Sequence, residues 1–586
     1  MDRMSCLILE QEIVASRRRL GHLGALLLYM LYTVLIWGLP ILSHLTSRLV
    51  GATADPTVFI YAIKWWPWAL SHHTNPLIDH WIWAPTGQFM LWVTSVPSIS
   101  ALLWPVTHLA GPVAAYNIAM LVSPLLAAWS MYLLLSLLIT RWGWRFWGGI
   151  VFGFSSYQIG QMLGHLNLTW VFFLPLLVML SVKVYQSSER GRWPSLWISL
   201  AFIALAVLLF FTSTEIFTTL TFFSLIFGAV TLMVFRHRFT PSLKFLLKWV
   251  TANVGIVFII LLPVVIYLLK HPFYHGAPFN PKTFSTDLLN FVIPTGMTIG
   301  GTLTLGISSH FVGNLYEDGA YLGIPMILLS IIAMKRLWTL PWIRILTYTM
   351  LIIVVCSLGP VLHVDGNTIM AMPWALMMHV PLIRDALPAR FSLYISFIAT
   401  IVATIGLDRI VGGLLPDDAS KNKSTHLTLL IVAVLAPVML VPNMRLGKGY
   451  LWTPYRIPTF FTQPSLYQKY LPKNSTVMIF PYGMFGDAQT MQSSAQFWFK
   501  LANGYMGAPP PPYQGPMVEK LFLHNHPPIL PAYPQDMARL VAQQNVSRVV
   551  ALDNMAPYAR RLLIAVPGLT QIYQGHGVVV WSLSQK

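Results

Sequence analysis

The chain has 586 residues, of which 56% are hydrophobic and only 10% are charged, and its mean hydropathy is +0.63. Soluble domains carry about 25% charged residues, so this composition excludes an ordinary soluble protein and predicts a polytopic α-helical membrane protein. The formal net charge is +18. Because the lysines and arginines lie mostly between apolar segments, we expect them to face a lipid bilayer, and we expect no nucleic acid partner.

Eleven apolar runs reach the length of a transmembrane helix, which is about 17 to 25 residues. The basic tail 1–21, with Arg17, Arg18 and Arg19, precedes the first run, and no small-residue cleavage site follows it. We therefore expect the first run to be retained as a helix. The runs lie at 22–44, 112–140, 146–163, 166–186, 194–212, 213–235, 246–269, 320–335, 341–358, 392–411 and 426–442.

A further apolar piece, 94–111, is interrupted by Pro97 and Pro105. If this piece does not cross the membrane, the basic clusters between the spans fall on the same side as the basic N-terminus, as the positive-inside rule favours. We therefore expect 94–111 to be a membrane-surface or re-entrant helix. The resulting topology is a multi-pass protein of the inner (plasma) membrane, with a cytoplasmic N-terminus and an extracytoplasmic C-terminus.

Three long connections fall on the outer side in this topology, at 45–111, 270–319 and 359–391. Long surface loops rich in Pro, Gly, Trp and His are often functional. The transmembrane domain is expected to cover 22–442 and to include the first outer loop with interfacial helices.

The hydrophobic period changes after the last span. Short β-rich runs at 476–480, 547–552 and 577–583 alternate with a helical pattern at 534–544. This alternation predicts a C-terminal extracytoplasmic α/β domain over 443–586.

The first outer loop contains Asp55, about ten residues after the first span, at the start of "DPTVFIYAIKWWPWAL". The helical stripe in this segment predicts an interfacial helix, and the spacing alone explains Asp55 equally well as a helix cap with Pro56 at the first helical position. Capping does not exclude catalysis. The tryptophans of the region fit an aromatic belt at the membrane surface, namely Trp65, Trp66, Trp68, Trp81 and Trp83.

Five stretches resemble recurring segments of bacterial membrane proteins of the GT-C class of integral-membrane glycosyltransferases. They are "ADPTVFIYAIKWWPWAL", "WAPTGQFMLWVTSVP", "GFSSYQIGQMLGHLNL", "YEDGAYLGIP" and "PLIRDALPARF". The resemblance covers most of 20–411 and, more weakly, the outer domain. It implies a GT-C-like helix arrangement, a sugar donor carried on a polyprenyl phosphate, and transfer to the hydroxyl of a glycan or lipid-linked acceptor at the outer face.

Asp55 matches the early acidic position of that class, and the resemblance therefore implies that it is the general base of an inverting transfer. Many members have an acidic pair in this loop, often with a divalent metal. Here the next acid, Asp79, comes 24 residues later. We retain Asp79 as a substrate-binding candidate, and the metal ligands stay unknown, with Mg²⁺ or Mn²⁺ as the open alternatives.

The leaving lipid phosphate needs cationic partners. Arg384 and Arg390 in "PLIRDALPARFSLY" precede a span on the outer side, and arginine suits bidentate phosphate contact. The alternative is that they snorkel or pair with Asp385. Lys64 is a weaker candidate for the same role.

Three further polar residues have both a local and a functional explanation. Glu215 and His165 lie at outer hairpins, where they would act either as turn caps or as substrate ligands. Glu317 lies at the start of a predicted span, where an acid favours a helix N-terminus. The resemblance of its stretch makes Glu317 a catalytic or acceptor-binding candidate.

Two other functions remain open from the sequence. A secondary transporter or lipid-linked glycan flippase predicts charged residues in the middle of spans and inverted repeats. A noncatalytic envelope-assembly protein predicts that Asp55→Asn leaves function intact, whereas loss of the outer domain abolishes it.

Overall fold

The computed structural model describes residues 20–52, 54–236, 239–271, 280–380, 383–412 and 423–583. The arginines of the basic tail lie outside these residues. Within them, six helices are long and apolar enough to cross a membrane, and three shorter helices are also apolar. The chain is therefore a polytopic helical membrane protein, whereas the count of eleven spans stays a prediction. The six are Leu20–Leu42, Trp104–Leu135, Leu166–Glu189, Thr214–Phe235, Pro241–Lys270 and Pro388–Ile410, and the shorter ones are Leu196–Thr212, Pro341–Ser357 and His426–Met439.

Other helices connect or flank these elements. In the N-terminal two thirds of the chain they are Asp55–Ser71, Pro97–Leu102, Trp142–Gly153, Ser156–Gln161 and Ile324–Arg336. Towards the C-terminus they are Thr459–Thr462, Pro464–Tyr470, Ala488–Ser494, Pro516–Leu523, Tyr533–Gln543 and Ala556–Leu562.

The predicted span 146–163 is divided into two short helices, Trp142–Gly153 and Ser156–Gln161. Ser155 lies between them in an extended conformation, and its hydroxyl accepts a hydrogen bond from the backbone N–H of Gln158. A serine in this position starts a new helix and does not continue the old one, because its side chain satisfies a free N–H of the first turn. Hydrophobicity alone does not reveal such a break.

The piece 94–111 contains the helix Pro97–Leu102 and the beginning of the helix Trp104–Leu135. That long helix is interrupted at Gly111, which has φ 86° and ψ 166°. Glycine adopts a positive φ without the steric cost that a side chain brings. The interruption therefore separates the end of the predicted surface piece from the long apolar helix that follows it.

The chain divides into two compact units. Of the described residues, those within 1–43, 120–261 and 279–451 form the first unit, and those within 44–119, 262–278 and 452–586 form the second. The first unit holds most of the apolar helices, and the second unites the first outer loop with the C-terminal segment.

The helix Pro388–Ile410 lies in the core of the first unit and is almost entirely buried. It packs closely against the helix Ile324–Arg336, because a Cβ atom added to Gly406 would lie only 2.4 Å from Cβ of Ala333. The helix Trp142–Gly153 is tied to the same core, since Nε1 of Trp147 donates a 2.7 Å hydrogen bond to the carbonyl of Ala433. A hairpin of the strands Val361–Val364 and Asn367–Ala371 lies in the third long loop.

The second unit contains a five-stranded mixed sheet. The strand Val578–Leu583 pairs antiparallel with both of its neighbours, Leu569–Gly575 and Val546–Leu552. The strand Thr476–Phe480 pairs parallel with both of its neighbours, Val546–Leu552 and Lys500–Leu501. Strands are found in each of the three segments where the sequence predicts them. The spatial order is Leu569–Gly575, Val578–Leu583, Val546–Leu552, Thr476–Phe480 and Lys500–Leu501.

The first outer loop packs on this sheet. The backbone N–H of Leu501 donates to the carbonyl of Trp81 at 2.7 Å, and the N–H of Ala84 donates to the carbonyl of Leu501 at 2.8 Å. The strand Arg48–Val50 pairs antiparallel with Trp452–Pro454. Segments separated by about 400 residues therefore form one packed body. Within the same loop, the short strands Ile78–Asp79 and Gln88–Phe89 pair antiparallel with each other.

The helix Asp55–Ser71 is largely buried within the second unit, and its place at the membrane interface stays a prediction. Phe59 and Ile63 are buried, and so are residues on the other faces of the helix. Trp65, Trp66 and Trp83 are also buried, and only Trp68 and Trp81 of the predicted belt are partly exposed. The helix is covered because it packs against both Pro97–Leu102 and Ala488–Ser494.

Candidate functional site

Three charged side chains form a largely buried group in the first unit, which we call the carboxylate cluster: Glu215, Glu317 and Arg390. Nε of Arg390 lies 3.0 Å from each carboxylate oxygen of Glu317. The two terminal nitrogens of the same guanidinium donate to Glu215 and to Glu317 respectively. One cation is thus shared by two carboxylates, which leaves the three side chains with a formal charge of −1.

Local sequence explains how each member reaches the cluster. Ser213 caps the helix Thr214–Phe235 by accepting from the N–H of Ile216 at 3.3 Å, and Glu215 follows in the first turn, where a negative charge is favourable. Arg390 comes from the short 3₁₀ helix Pro388–Phe391 at the head of its span. Glu317 lies in a loop, and its helix begins only at Ile324. The predicted helix-capping role of Glu317 is therefore wrong.

Two residues of "GFSSYQIGQMLGHLNL" extend the cluster. Nε2 of Gln161 lies 3.4 Å from Glu317, and Oε1 of Gln161 lies 2.6 Å from Nδ1 of His165. Nδ1 of His165 is itself 3.9 Å from Glu317. This stretch can approach the Glu317 loop because Gly160 has no side chain, since a Cβ there would lie 2.6 Å from the carbonyl oxygen of Tyr316.

A small cavity adjoins the cluster, with Glu215, Arg390, Tyr157 and Tyr394 in its wall. Oε1 of Glu215 is buried and has no hydrogen-bond partner among the described residues. For Glu317, burial favours the neutral acid, but the Arg390 guanidinium and the hydrogen bonds from it outweigh burial and lower the pKa of the carboxyl. Glu317 is therefore held as an anion.

The structure brings together four of the predicted site residues, Glu215, Glu317, Arg390 and His165. Arg384 makes a separate contact: its Nε lies 3.6 Å from Asp385, and both side chains are about half exposed. Pairing with Asp385 was the alternative explanation for this arginine. Because the Arg390 guanidinium is engaged by two carboxylates, Arg384 is the more accessible of the two for an external anion.

Asp55 is the first residue of the helix Asp55–Ser71, and the cap position belongs to Ala54, which makes no side-chain capping bond. The cap assignment for Asp55 is therefore wrong. Its Oδ1 accepts a 2.8 Å hydrogen bond from the hydroxyl of Tyr505. Burial, and then the nearby Asp55 carboxylate, raise the pKa of Tyr505 well above its usual value, so the phenol stays a proton donor to Asp55.

Gln489 fixes Tyr505 in place. Its Oε1 accepts from the backbone N–H of Tyr505 at 3.2 Å, and its Nε2 donates to the hydroxyl of Thr57 at 2.6 Å. Thr57 lies two residues after Asp55 on the same helix. The sequence analysis did not identify Tyr505 or Gln489. The only sequence feature that could have drawn attention to Tyr505 is the aromatic run "FWFKLANGYMGAPPPPY" that contains it.

Asp79 lies in the core of the second unit and is fully buried. It accepts hydrogen bonds from the hydroxyl of Tyr61 at 2.6 Å and from the backbone N–H of Trp81 at 2.8 Å. Burial raises the pKa of Asp79 to about 7, although these hydrogen bonds act in the opposite direction. These partners give Asp79 a structural role in the loop.

Lys64 lies nine residues after Asp55 on the same helix, so the two side chains leave opposite sides of it. Lys64 is partly exposed, and burial lowers the pKa of its ammonium group. It therefore does not share a helix face with Asp55. In the described part of the chain, no group of three or more His, Cys, Asp or Glu side chains is arranged to hold a metal ion.

No protein-family model and no curated protein sequence matches the chain. Among solved structures, the arabinofuranosyltransferase AftD from Mycobacteria is similar over 97% of this chain, with a TM-score of 0.55 and 12% identity, and this chain spans 40% of the length of that protein. The oligosaccharyltransferase AglB from Archaeoglobus fulgidus, solved with an inhibitory peptide and a dolichol-phosphate, is similar over 97% of this chain and 75% of AglB, with a TM-score of 0.50 and 13% identity. The chain therefore has the fold of GT-C glycosyltransferases, and the resemblance inferred from its sequence is confirmed for the fold.

Proposed function

We propose that the protein is a membrane glycosyltransferase that moves a sugar from a polyprenyl-phosphate donor to a hydroxyl of a glycan or lipid-linked acceptor. The observation that carries this proposal is the likeness to two sugar-transferring enzymes over 97% of the chain. One of them, AglB, was solved with dolichol-phosphate, which is the chemical class of the donor carrier proposed here. We further propose that transfer takes place at the outer face of the inner membrane.

In the proposed reaction Asp55 is the general base. Its carboxylate takes the proton of the acceptor hydroxyl while the acceptor oxygen attacks the anomeric carbon from the side opposite the phosphate. The new glycosidic bond forms as the bond from the anomeric carbon to the phosphate oxygen breaks, and the electron pair leaves with polyprenyl phosphate. The configuration at the anomeric carbon is inverted. Tyr505 orients the carboxylate with a 2.8 Å hydrogen bond, and a neutral phenol does so without cancelling the negative charge of the base.

Arg384 is the residue we propose for the leaving phosphate, because its guanidinium is half exposed and is held by a single long pair with Asp385. Arg390 would have to release Glu215 or Glu317 to bind the same group. We therefore propose that Arg390 acts through these two carboxylates. Glu215 and Glu317 would accept hydrogen bonds from sugar hydroxyls, and His165 would accept or donate one. Lys64 is left out of the donor site, because it leaves its helix on the side opposite Asp55.

The position of the charged residues favours a transferase over a transporter. Glu215 is the second residue of the helix Thr214–Phe235, and Arg390 is the third residue of Pro388–Ile410. Both therefore lie at helix ends, whereas ion-coupled transport typically uses charged groups near the middle of the membrane.

The test is release of polyprenyl phosphate from a panel of polyprenyl-phosphate sugars by the purified protein, with glycan extract of the source cell as acceptor. We expect Asp55→Asn to lower the rate by about a hundredfold or more, the scale of general base catalysis. Asp553→Asn, at an exposed position of the same unit, makes the same chemical change and should leave the rate unchanged. An added chelator determines whether a divalent cation is required. Absence of release with every donor would contradict a transferase, and equal rates for Asp55→Asn and wild type would remove Asp55 from catalysis.

A further inference from the structure

A band of lysines and tryptophans lies on the surface of the second unit. We call it the lysine–tryptophan band and define it by Lys64, Trp68, Trp81, Lys473, Trp498 and Lys500. All three tryptophans are partly exposed, Lys473 is exposed, and Lys64 and Lys500 are partly exposed. Other tryptophans of the same unit, such as Trp65 and Trp83, are buried in its core.

The band is continuous from the first outer loop to the C-terminal segment. Lys64 and Trp68 are four residues apart on one helix, which places them on the same face. The ring centroids of Trp68 and Trp81 are 5.0 Å apart in an edge arrangement. The ammonium group of Lys500 lies 5.5 Å from the centroid of Trp81, so lysine and tryptophan side chains meet where the two chain segments join.

The second half of the band lies around the start of the strand Lys500–Leu501. Trp498 and Lys500 are partly exposed on either side of the buried Phe499. The ammonium group of Lys473 lies 5.4 Å from the ring centroid of Trp498. Cations over indole rings are attracted by the negative face of the ring, and this attraction keeps Lys473 and Lys500 at the surface beside Trp498 and Trp81.

Two of the three indole N–H groups of the band, those of Trp81 and Trp498, are bonded within the protein. Nε1 of Trp81 donates to the carbonyl of Phe497 at 3.0 Å, and Nε1 of Trp498 donates to the carbonyl of Leu471 at 2.9 Å. The polar atom of each ring is thus bonded inside the protein. The parts of the rings that remain accessible are apolar, and the only outward polar groups of these pairs are the ammonium groups.

The charges of the band are not balanced by carboxylates. Among the described residues, Lys64, Lys473 and Lys500 make no ion pair within 4.0 Å. The acidic residue nearest to Trp81 in the sequence is Asp79, but it is fully buried and accepts a hydrogen bond from Tyr61. The band therefore presents three positive charges between apolar ring surfaces.

We propose that the lysine–tryptophan band binds an anionic glycan, in which sugar rings contact the tryptophans and carboxylate or phosphate substituents contact the lysines. The proposal deepens the proposed function, on which it rests, by assigning an acidic character to the glycan acceptor. A phospholipid surface shares the negative charge, but membrane-surface segments carry their lysines and their tryptophans on opposite faces. In this band Lys473 and Lys500 lie over the rings of Trp498 and Trp81, an arrangement that suits sugar rings with acidic substituents.

The test measures binding of the full-length protein in phosphatidylcholine nanodiscs to three probes. These are polygalacturonate, which is an anionic glycan, dextran of similar length, which is neutral, and vesicles containing phosphatidylglycerol. We expect wild type to bind polygalacturonate at least tenfold more tightly than dextran, and added salt to weaken this binding. The double variant Lys473→Gln/Lys500→Gln should lose at least tenfold in affinity, while Lys473→Arg/Lys500→Arg should keep most of it.

Lys520→Gln is the matched control, because Lys520 is an exposed lysine of the same unit on the helix Pro516–Leu523. Equal binding of polygalacturonate by the double glutamine variant and wild type would overturn the proposal, as would equal affinity for dextran or no binding by wild type. A loss of vesicle binding with unchanged polygalacturonate binding would assign the band to lipid instead.

Asp55→Asn separates this proposal from the proposed function. It should abolish sugar transfer and retain polygalacturonate binding, because Asp55 lies on the opposite side of its helix from Lys64. Binding without transfer by wild type would contradict the transferase and leave the glycan surface standing. If wild type transfers sugar but binds polygalacturonate and dextran equally tightly, the transferase stands and the glycan-binding surface is contradicted.

Discussion

The carboxylate cluster of the first unit and the Asp55 site of the second unit hold their carboxylates in different ways. In the carboxylate cluster, one guanidinium donates to both Glu215 and Glu317. At the second site, a neutral phenol donates to Asp55. The ion pairs of Arg390 offset negative charge and tie together the segments that carry Glu215 and Glu317, whereas the Tyr505 hydroxyl is a neutral donor that orients Asp55.

This difference separates groups that hold the fold from groups that can take a proton. A carboxylate that already receives charged hydrogen bonds is a poor base, because protonation would break them. A carboxylate held by a phenol keeps more of its basicity. We therefore expect mutations of the carboxylate cluster to affect stability first and mutations at the Asp55 site to affect the reaction first.

The largest expected effect comes from removing the shared cation. Arg390→Met should destabilise the protein by about 3–5 kcal/mol, because two buried carboxylates lose their partner. Adding Glu215→Gln and Glu317→Gln to this variant should restore most of the stability, since the uncompensated charges are then gone. The measurement is the midpoint of thermal unfolding in mild detergent.

Arg384→Met is the control for that experiment. Its pair with Asp385 is half exposed, so the change should cost no more than about 1 kcal/mol. An unfolding midpoint of Arg390→Met equal to that of Arg384→Met would show that the carboxylate cluster does not hold the fold.

The next effect is on the reaction. Tyr505→Phe removes the hydrogen bond to Asp55. Because hydrogen bonds to charged groups contribute about 1.5–3 kcal/mol, we expect the rate of transfer to fall about tenfold or more. The unfolding midpoint should change little. Combining Tyr505→Phe with Asp55→Asn should add little to the loss from Asp55→Asn alone, because both changes act on one interaction. The rate of polyprenyl phosphate release measures this.

Tyr513→Phe is the matched control for Tyr505. Tyr513 is also buried in the second unit, and its hydroxyl accepts from Thr86 at 2.8 Å. This variant should keep the rate of wild type. Fully additive losses for Tyr505→Phe and Asp55→Asn would contradict a direct positioning role for Tyr505.

The smallest effect is a pH dependence of stability in the second unit. Burial raises the pKa of Asp79 to about 7 and that of Asp487 to about 6. An aspartate in the unfolded chain loses its proton near pH 4, so between about pH 4 and pH 7 the folded state binds more protons than the unfolded state. Stability should therefore fall as the pH rises through this range.

Asp79→Asn should reduce this fall, since its amide can still accept from Tyr61 and Trp81 without ionising. Asp487→Asn should reduce it less, because the pKa of Asp487 is raised less. Unfolding midpoints measured at about pH 5 and pH 8 test both statements. A midpoint of wild type that rises over this range would show that Asp79 is already ionised in the folded protein.

Much of the local structure could be predicted from the sequence. Apolar runs give the positions of most helices because a helix that contacts lipid must be apolar over a fixed length. The three strand segments, such as 476–480, follow from β-branched residues in short runs. The short polar break at Ser155 was missed, since hydrophobicity averaged over a span does not register one capping residue.

The candidate site was predictable only in part. Sequence reasoning selected Asp55, Glu215, Glu317 and Arg390, because charged residues beside apolar spans are few and costly. It did not predict that Arg390 is shared by two carboxylates. It also did not predict that most of the helix Asp55–Ser71 is buried within the second unit, since its tryptophans suit an interface as well as a protein core.

By itself the sequence determined that the chain is a helical membrane protein, where most of its helices and strands lie, and which few charged residues deserve attention. These properties depend on residues that are close in the sequence, so they can be predicted from the periodicity of hydrophobic residues. Only the tertiary structure decided that Tyr505 meets Asp55 across 450 positions and that Arg390 meets Glu215 across 175. Such pairings depend on how distant segments pack, and the same side chains could be paired in many ways that the local pattern does not distinguish.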